Sequence, residues 1–269
     1  MRDTFIGFDS AWTDKATAPG AICAVSVGAG KPADFHAPRL ASFSEALRFV
    51  ADVRSDSGCT LIALDQPTVV ANQSSMRPVE RVAASLVSWI GGGVQPANRS
   101  KIGMFCDASP VWRFLRSLGA SEAPEEARMA SNGLHLIEVF PALALPSLDP
   151  AFFGRLAGPR YNPGRRKTFQ IDHWRRVALA AAASFKGFAL TELADWCRTA
   201  AENPAPKKAD QDRLDAMICL LSALYWRLRP RHESMMLGCV DSGYMIFPAS
   251  DEVRAKLTAV AEKLGVPAA

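Results

Sequence analysis

The chain has 269 residues, of which 49% are hydrophobic and 22% are charged, and its formal net charge at pH 7 is +4. This balance is typical of a soluble globular protein and excludes a disordered chain, a coiled coil and a collagen-like fibre. Because there is neither an apolar stretch of about 18 residues nor the apolar core of a signal peptide, we expect a cytoplasmic protein without a membrane span.

The first part of the chain alternates short apolar runs with one helix. Ser42 and Glu45 form a capping box, which predicts that a helix begins there. The run that ends at Asp65 is apolar on both faces, as expected of a central strand. Strands are predicted over residues 4–9, 21–27, 34–37 and 60–65, the third being the weakest.

The remaining residues predict further helices around one more core strand. Residues 76–132 are mostly helical in pattern, broken by Gly91-Gly92-Gly93 and Pro96, and are expected to be an insertion. The later elements are a strand at 135–140, helices at 171–185, 190–201 and 209–228, a hairpin at 237–247 and a final helix from Ser250. This order predicts one three-layer α/β domain with a mixed sheet over residues 1–269.

Carboxylates lie at the ends of two predicted central strands. Asp9 and Asp65 each follow an apolar run, and ligands bind at the carboxyl edge of open α/β sheets. Each residue alone is equally consistent with the start of a turn. Together they favour a cation site, because adjacent buried like charges are costly and a divalent ion with oxygen ligands removes that cost.

Two further acids begin the long helix, and one interrupts the last core strand. Asp212 and Asp215 share a helical face, and the residues after Asp215 are almost uniformly apolar, which predicts a buried helix. Favourable placement of acids near a helix N-terminus explains Asp212 better than Asp215. Glu138 is either an outward residue of a half-exposed strand, or a fourth acidic ligand or general base.

Five short motifs, taken in order, resemble a family of predicted RNase H-like nucleases, domain of unknown function 429, over nearly the whole chain. They are Ile6-Gly7-Phe8-Asp9, Ala63-Leu64-Asp65-Gln66-Pro67, Ile137-Glu138-Val139-Phe140-Pro141, Asp212-Arg213-Leu214-Asp215-Ala216 and Gly243-Tyr244-Met245-Ile246-Phe247-Pro248. The fourth motif is also similar to one in Holliday-junction resolvases. The resolvase-like pattern more often has Glu on the fourth strand, at the position that Asp65 occupies in this chain.

The resemblance implies an RNase H-like three-layer fold, in which a mixed five-stranded sheet is flanked by helices. It implies that Asp9, Asp65 and either Asp212 or Asp215 converge on one or two Mg²⁺ or Mn²⁺ ions. The implied activity is metal-dependent hydrolysis of phosphodiester bonds. We therefore expect a nuclease or phosphodiesterase with Asp9, Asp65, Asp212 and Asp215 as catalytic metal ligands and Glu138 as a further catalytic candidate.

A basic segment suits a phosphate-containing partner. Residues 155–186 contain eight Lys and Arg residues but one acid, with aromatic residues interleaved. Arg165, Arg166 and Lys167 follow a predicted loop and are candidate contacts to the phosphates of DNA or RNA. A solvated helix face, or a site for a small phosphorylated molecule, would account for the same composition.

Two other classes of protein remain as alternatives. One is a non-catalytic module of the same fold that binds nucleic acid or protein, for which substrate binding without metal-dependent turnover is expected. The other is a phosphotransferase, which the absence of Gly-rich phosphate loops disfavours, since Gly28-Ala29-Gly30-Lys31-Pro32 lacks the required spacing. DNA and RNA substrates are not distinguished by the sequence.

Overall fold

The computed structural model describes residues 2–15, 17–28 and 30–269. Its strands are β1 (Arg2–Asp9), β2 (Gly20–Gly28), β3 (Lys31–Ala41), β4 (Cys59–Asp65), β5 (Gly133–Glu138), β6 (Ser234–Cys239) and β7 (Gly243–Pro248). Its α-helices are α1 (Phe43–Val53), α2 (Pro78–Val87), α3 (Pro110–Leu118), α4 (Pro124–Met129), α5 (Pro141–Leu148), α6 (Ile171–Gly187), α7 (Thr191–Glu202), α8 (Lys208–Leu228) and α9 (Asp251–Leu264). Short 3₁₀ helices cover Pro150–Phe152 and Arg231–Glu233.

The main sheet has five strands in the order β3-β2-β1-β4-β5. Strand β2 is antiparallel to both of its neighbours, whereas β1, β4 and β5 run parallel to one another. The mixed sheet predicted from the residue pattern is thereby confirmed, as are the five strands and flanking helices that the family resemblance implies. The hairpin β6–β7 is also confirmed and forms a separate two-stranded sheet.

Alternating residues of the central strands face two different layers of helices. Phe5 and Leu61 belong to the hydrophobic core that contains α8. Ile6 and Phe8 point the other way and pack with residues of α1 and α3. Because side chains alternate along a strand, every second residue after Phe5 lies on the face that α8 covers, and this face includes Gly7 and Asp9.

Helix α8 is buried over most of its length, as its apolar sequence predicts. It lies against β1 so closely that a Cβ atom added to Gly7 would be 2.0 Å from the backbone oxygen of Ala216 and 2.5 Å from the backbone nitrogen of Leu220. Glycine is therefore required at this position by the approach of two backbones. This contact fixes Ala216, and with it the adjacent Asp215, over the end of β1.

Replacing Gly7 by Ala is expected to destabilise the protein by about 3 kcal/mol, because the new methyl group forces α8 away from the sheet. Gly93→Ala is the control, since no described atom lies within 4 Å of the Cβ position at Gly93. Urea unfolding of the two variants measures the difference. Equal unfolding midpoints would contradict the close packing described here.

Three parts of the chain differ from the sequence-based prediction. Residues 76–132 are not mostly helical: α2, α3 and α4 have 10, 9 and 6 residues, and 88–109 are turns and irregular chain. Glycines 91–93 and Pro96 disfavour a helix there. Strand β3 is longer than the predicted 34–37, and α5 was missed because Pro141 and Pro146 obscured it.

No helix in the described part of the chain combines the length and the apolar character needed to cross a membrane.

Candidate functional site

Three carboxylates from distant parts of the chain line one cavity of about 550 Å³. Asp9 and Asp65 end the adjacent parallel strands β1 and β4, where they are paired in register. Both lie on the face of the sheet that α8 covers, and Asp215 lies on α8 itself. The structure therefore brings together three of the predicted site residues.

Neighbouring polar groups orient Asp215. The Tyr161 hydroxyl donates a hydrogen bond of 2.7 Å to Oδ1 of Asp215, and Nε2 of Gln211 donates one of 2.6 Å to Oδ2. Both donors line the cavity. Oε1 of Gln211 is buried and has no hydrogen-bond partner among the residues that the structure describes. An acceptor without a donor thus remains beside the carboxylates.

The three carboxyl groups have raised pKa values. Burial raises the pKa of Asp9 most, followed by the nearby charges of Asp215 and Asp65. Burial also raises the pKa of Asp65 most, with Asp215 and then Glu138 adding to the effect. The pKa of Asp215 rises to about 6 because burial outweighs the hydrogen bonds from Tyr161 and Gln211 and the charge of Lys208. At neutral pH the three carboxyl groups are therefore partly protonated as a set.

Lys208 places a positive charge near this acidic group. It is the first residue of α8, its side chain lines the cavity, and it forms an ion pair with Asp212. Burial lowers the pKa of Lys208, but Asp212, Asp9 and Asp215 together raise it overall. Asp212 itself is not among the residues that line the cavity within the described chain. Its carboxylate holds Lys208 rather than facing the cavity.

The rim of the cavity is basic and its walls are partly apolar. Of the three predicted phosphate contacts, Arg165 lines the cavity, together with Arg160. Arg166 and Lys167 are exposed and are not among the described residues that line it. Gly91-Gly92-Gly93 also line the cavity. The cavity thus combines an acidic floor with cationic groups at its edge.

Glu138 lies outside the cavity, in a buried ionic network. Its two oxygens accept hydrogen bonds of 2.9 and 2.6 Å from the guanidinium group of Arg77, and the backbone N–H of Thr68 donates to Oε2 at 2.8 Å. Nε of Arg77 also donates to Oε1 of Glu80 at 2.8 Å. The carboxylate of Glu138 is therefore already occupied by protein donors.

The same network reaches the C-terminal hairpin. The Tyr244 hydroxyl on β7 accepts from the backbone N–H of Glu138 at 3.0 Å and donates to Oε1 of Glu122 at 2.9 Å. Burial raises the pKa of Glu138 despite the opposing effect of Arg77. This arrangement links β5, α2 and β7 just behind Asp65, so its evident role is to hold the strand ends in place.

Several residues of the site were not identified from the sequence. Tyr161, Gln211, Lys208 and Arg160 line the cavity, and Arg77 is buried behind it. Tyr161 and Arg160 lie in irregular chain, where no periodic pattern predicts the direction of a side chain. Lys208 and Gln211 lie within one helical turn of Asp212 and Asp215, so the shared helix face was the one available indication.

The residue types fit a hard divalent cation. Carboxylate oxygens are the preferred protein ligands of Mg²⁺, and a cation would offset the burial that mainly raises the three pKa values and the repulsion that adds to it. The unpaired oxygen of Gln211 is a further acceptor beside them. Within residues 2–15, 17–28 and 30–269, however, no group of three or more His, Cys, Asp or Glu side chains is already arranged to hold a metal ion.

The raised pKa values predict that stability falls with increasing pH in the absence of divalent ions. Above about pH 4 the unfolded chain loses these protons while the folded protein keeps them, so folding weakens until the folded pKa values are passed. Between pH 5 and 8 in EDTA, the Tm of the wild-type protein is expected to fall by about 3 °C or more beyond any fall in the Tm of Asp215→Asn.

The control for this measurement is Asp52→Asn, because Asp52 is exposed on α1, which packs on the other side of the sheet from α8. Its pH dependence is expected to match the wild type. If Asp215→Asn also follows the wild-type curve, a raised pKa of Asp215 does not cause the fall in stability with pH.

Comparison with known proteins identifies the family. No curated protein and no solved structure matches the chain. The family described as "Protein of unknown function (DUF429)" matches residues 7–234, a span that contains Asp9, Asp65, Asp215 and the whole cavity. Because this match covers most of the chain, the protein belongs to the DUF429 family.

Proposed function

We propose that this protein is a metal-dependent phosphodiesterase acting on nucleic acid, with Asp9, Asp65 and Asp215 as the ligands of Mg²⁺ or Mn²⁺. The observation that carries the proposal is the presence of these three carboxylates in one cavity whose rim is basic. Acidic groups suit the cation and basic groups suit the phosphate.

The fold that we propose is RNase H-like. Its support is the mixed five-stranded sheet, with acids on the first strand, on the fourth strand and on a late helix, the arrangement that the sequence resemblance implies. We leave Glu138 out of the ligand set, because Arg77 occupies its oxygens. We likewise assign Asp212 to holding Lys208, so the ligand set is smaller than the sequence predicts.

Each residue of the cavity then has a distinct task. A bound cation would supply activation of water and stabilisation of the leaving oxygen. Tyr161 and Gln211 hold the carboxylate of Asp215 in orientation. Arg160, Arg165 and Lys208 would bind the phosphate and balance the negative charge that increases during hydrolysis.

The test is a panel of substrates, with single-stranded, double-stranded, hybrid and branched nucleic acids and the generic diester bis(p-nitrophenyl) phosphate. Each is incubated with Mg²⁺, Mn²⁺ or EDTA. We expect cleavage with a divalent ion and none with EDTA. Absence of cleavage of every substrate in both metals would refute the proposal.

A second candidate function is binding of a phosphorylated ligand without turnover. The observation that favours it is Lys208, whose charge already lies among the acids and offsets part of their repulsion. The same panel distinguishes the two functions, because a binding module retains the oligonucleotide in EDTA and leaves it intact in Mn²⁺.

A further inference from the structure

The size of the cavity limits what can reach the three carboxylates. At about 550 Å³ it lies within the range of about 300–1,000 Å³ that is typical of sites for small ligands. A long open groove along the surface would be expected for a protein that grips a continuous duplex. The volume instead matches one or two nucleotide units.

Hydrogen bonds between two loops fix the rim of this cavity. The backbone N–H of Leu156 donates to the oxygen of Trp89 at 2.9 Å, and that of Gly158 donates to the oxygen of Ile90 at 2.8 Å. A Cβ atom on Gly158 would be 2.7 Å from the same Ile90 oxygen, so the two loops are in close contact. The loops that lead to Gly91 and Arg160 are thus joined to each other at the rim.

The basic side of the rim is anchored as well. The backbone N–H of Arg160 donates to Nδ1 of His173 at 2.8 Å, and the backbone oxygen of Arg160 accepts from Gln170 at 2.8 Å. Tyr161, the next residue, is held by its hydrogen bond to Asp215. The backbone at Arg160 and the side chain of Tyr161 are therefore fixed at the rim of the cavity.

Aromatic side chains provide surfaces for a base. Trp12 and Phe140 are half-buried and line the cavity together with Asp65. Trp12 is held in place by an edge-to-face contact with Phe105, with ring centroids 5.4 Å apart. Stacking on aromatic rings is the usual, sequence-tolerant way in which proteins hold unpaired bases, and paired bases within a duplex are not available for it.

We infer that the cavity accepts the end of a single nucleic-acid strand and excludes duplex, with the terminal base on Trp12 and its phosphate between the basic rim and the carboxylates. This inference rests on the proposed phosphodiesterase function. It specifies that function as removal of one or two nucleotides at a time from a free end. A circular strand has no end to insert, and a blunt duplex has no unpaired base.

The test compares one oligonucleotide sequence as a linear single strand, as a circular single strand and as a blunt duplex, each with Mn²⁺. We expect the linear strand to be shortened stepwise to mono- or dinucleotides, at least about tenfold faster than either other form is cut. Cleavage of the circle or the duplex at an equal or higher rate overturns the inference and leaves the phosphodiesterase proposal standing. Absence of cleavage of all three forms and of bis(p-nitrophenyl) phosphate refutes both.

Two tryptophan variants test where the base is held. Trp12→Ala is expected to slow cleavage of the linear strand about tenfold, because one stacking surface is lost. Trp196→Ala is the matched control, since Trp196 is also half-buried but lies on α7, beside a different pocket. An equal effect of the two variants would overturn the assignment of Trp12.

Discussion

Replacing Asp9 by Asn is expected to reduce metal-dependent cleavage by about 1,000-fold or more, because one carboxylate ligand of the proposed ion is lost. The fold should survive the change. Burial and two neighbouring acids raise the pKa of Asp9, so a neutral side chain of the same shape removes repulsion in the metal-free protein. The rate with saturating Mn²⁺, the affinity for Mn²⁺ and Tm in EDTA together measure these effects.

Asp212→Asn is the matched control for this experiment. It changes an acid of the same helix that pairs with Lys208 and does not belong to the described lining of the cavity. We expect a loss of less than about tenfold, since Asp212 pairs with Lys208 and affects Asp9 and Asp215 through its charge, without being a proposed ligand of the ion. Equal losses in the two variants would show that the ligand set predicted from the sequence, with Asp212 included, is the better one.

Replacing Arg77 by Met is expected to destabilise the protein by about 3–5 kcal/mol, the largest effect on folding that the structure predicts. The guanidinium group is fully buried and contacts the carboxylates of both Glu80 and Glu138. Its removal leaves two buried acids without their cation, and protonating them costs free energy at neutral pH. Urea unfolding at pH 7 measures the change.

Two further variants separate the charge from the packing of Arg77. Arg81→Met changes an exposed residue of α2, the helix that begins just after Arg77, and is expected to alter stability by less than about 0.5 kcal/mol. Adding Glu138→Gln to Arg77→Met is expected to recover part of the loss, because the acid left unpaired is then neutral. If the double variant is no more stable than the single one, the network does not act through its charges.

The site residues that the sequence predicts best are the acids at the ends of regular strands and on the long helix. Asp9 and Asp65 end apolar runs, so the strand pattern alone placed both at one edge of the sheet, and the register confirms that they are neighbours. Asp215 borders the apolar part of α8, which predicted that it enters the core. Such residues are predictable because a regular element fixes the direction of its side chains.

The remaining parts of the site depend on contacts between distant residues. Arg77 precedes a proline at the start of a helix, where an exposed cap is the usual expectation, and only the fold reveals its buried partner Glu138, 61 residues later. Arg165 and Arg166 are adjacent and chemically identical in sequence. Only one of them lines the cavity, and the loop conformation that decides this has no periodic pattern.

The contact between Gly7 and α8 also bears on how the chain is synthesised. Apolar residues of β1, β2 and β4 are covered by a helix that ends at residue 228. At about 5–20 residues per second, ribosomes leave that face of the nascent sheet uncovered for about 8 to 30 seconds. Expression at low temperature or with added chaperones is therefore expected to increase the yield of native protein.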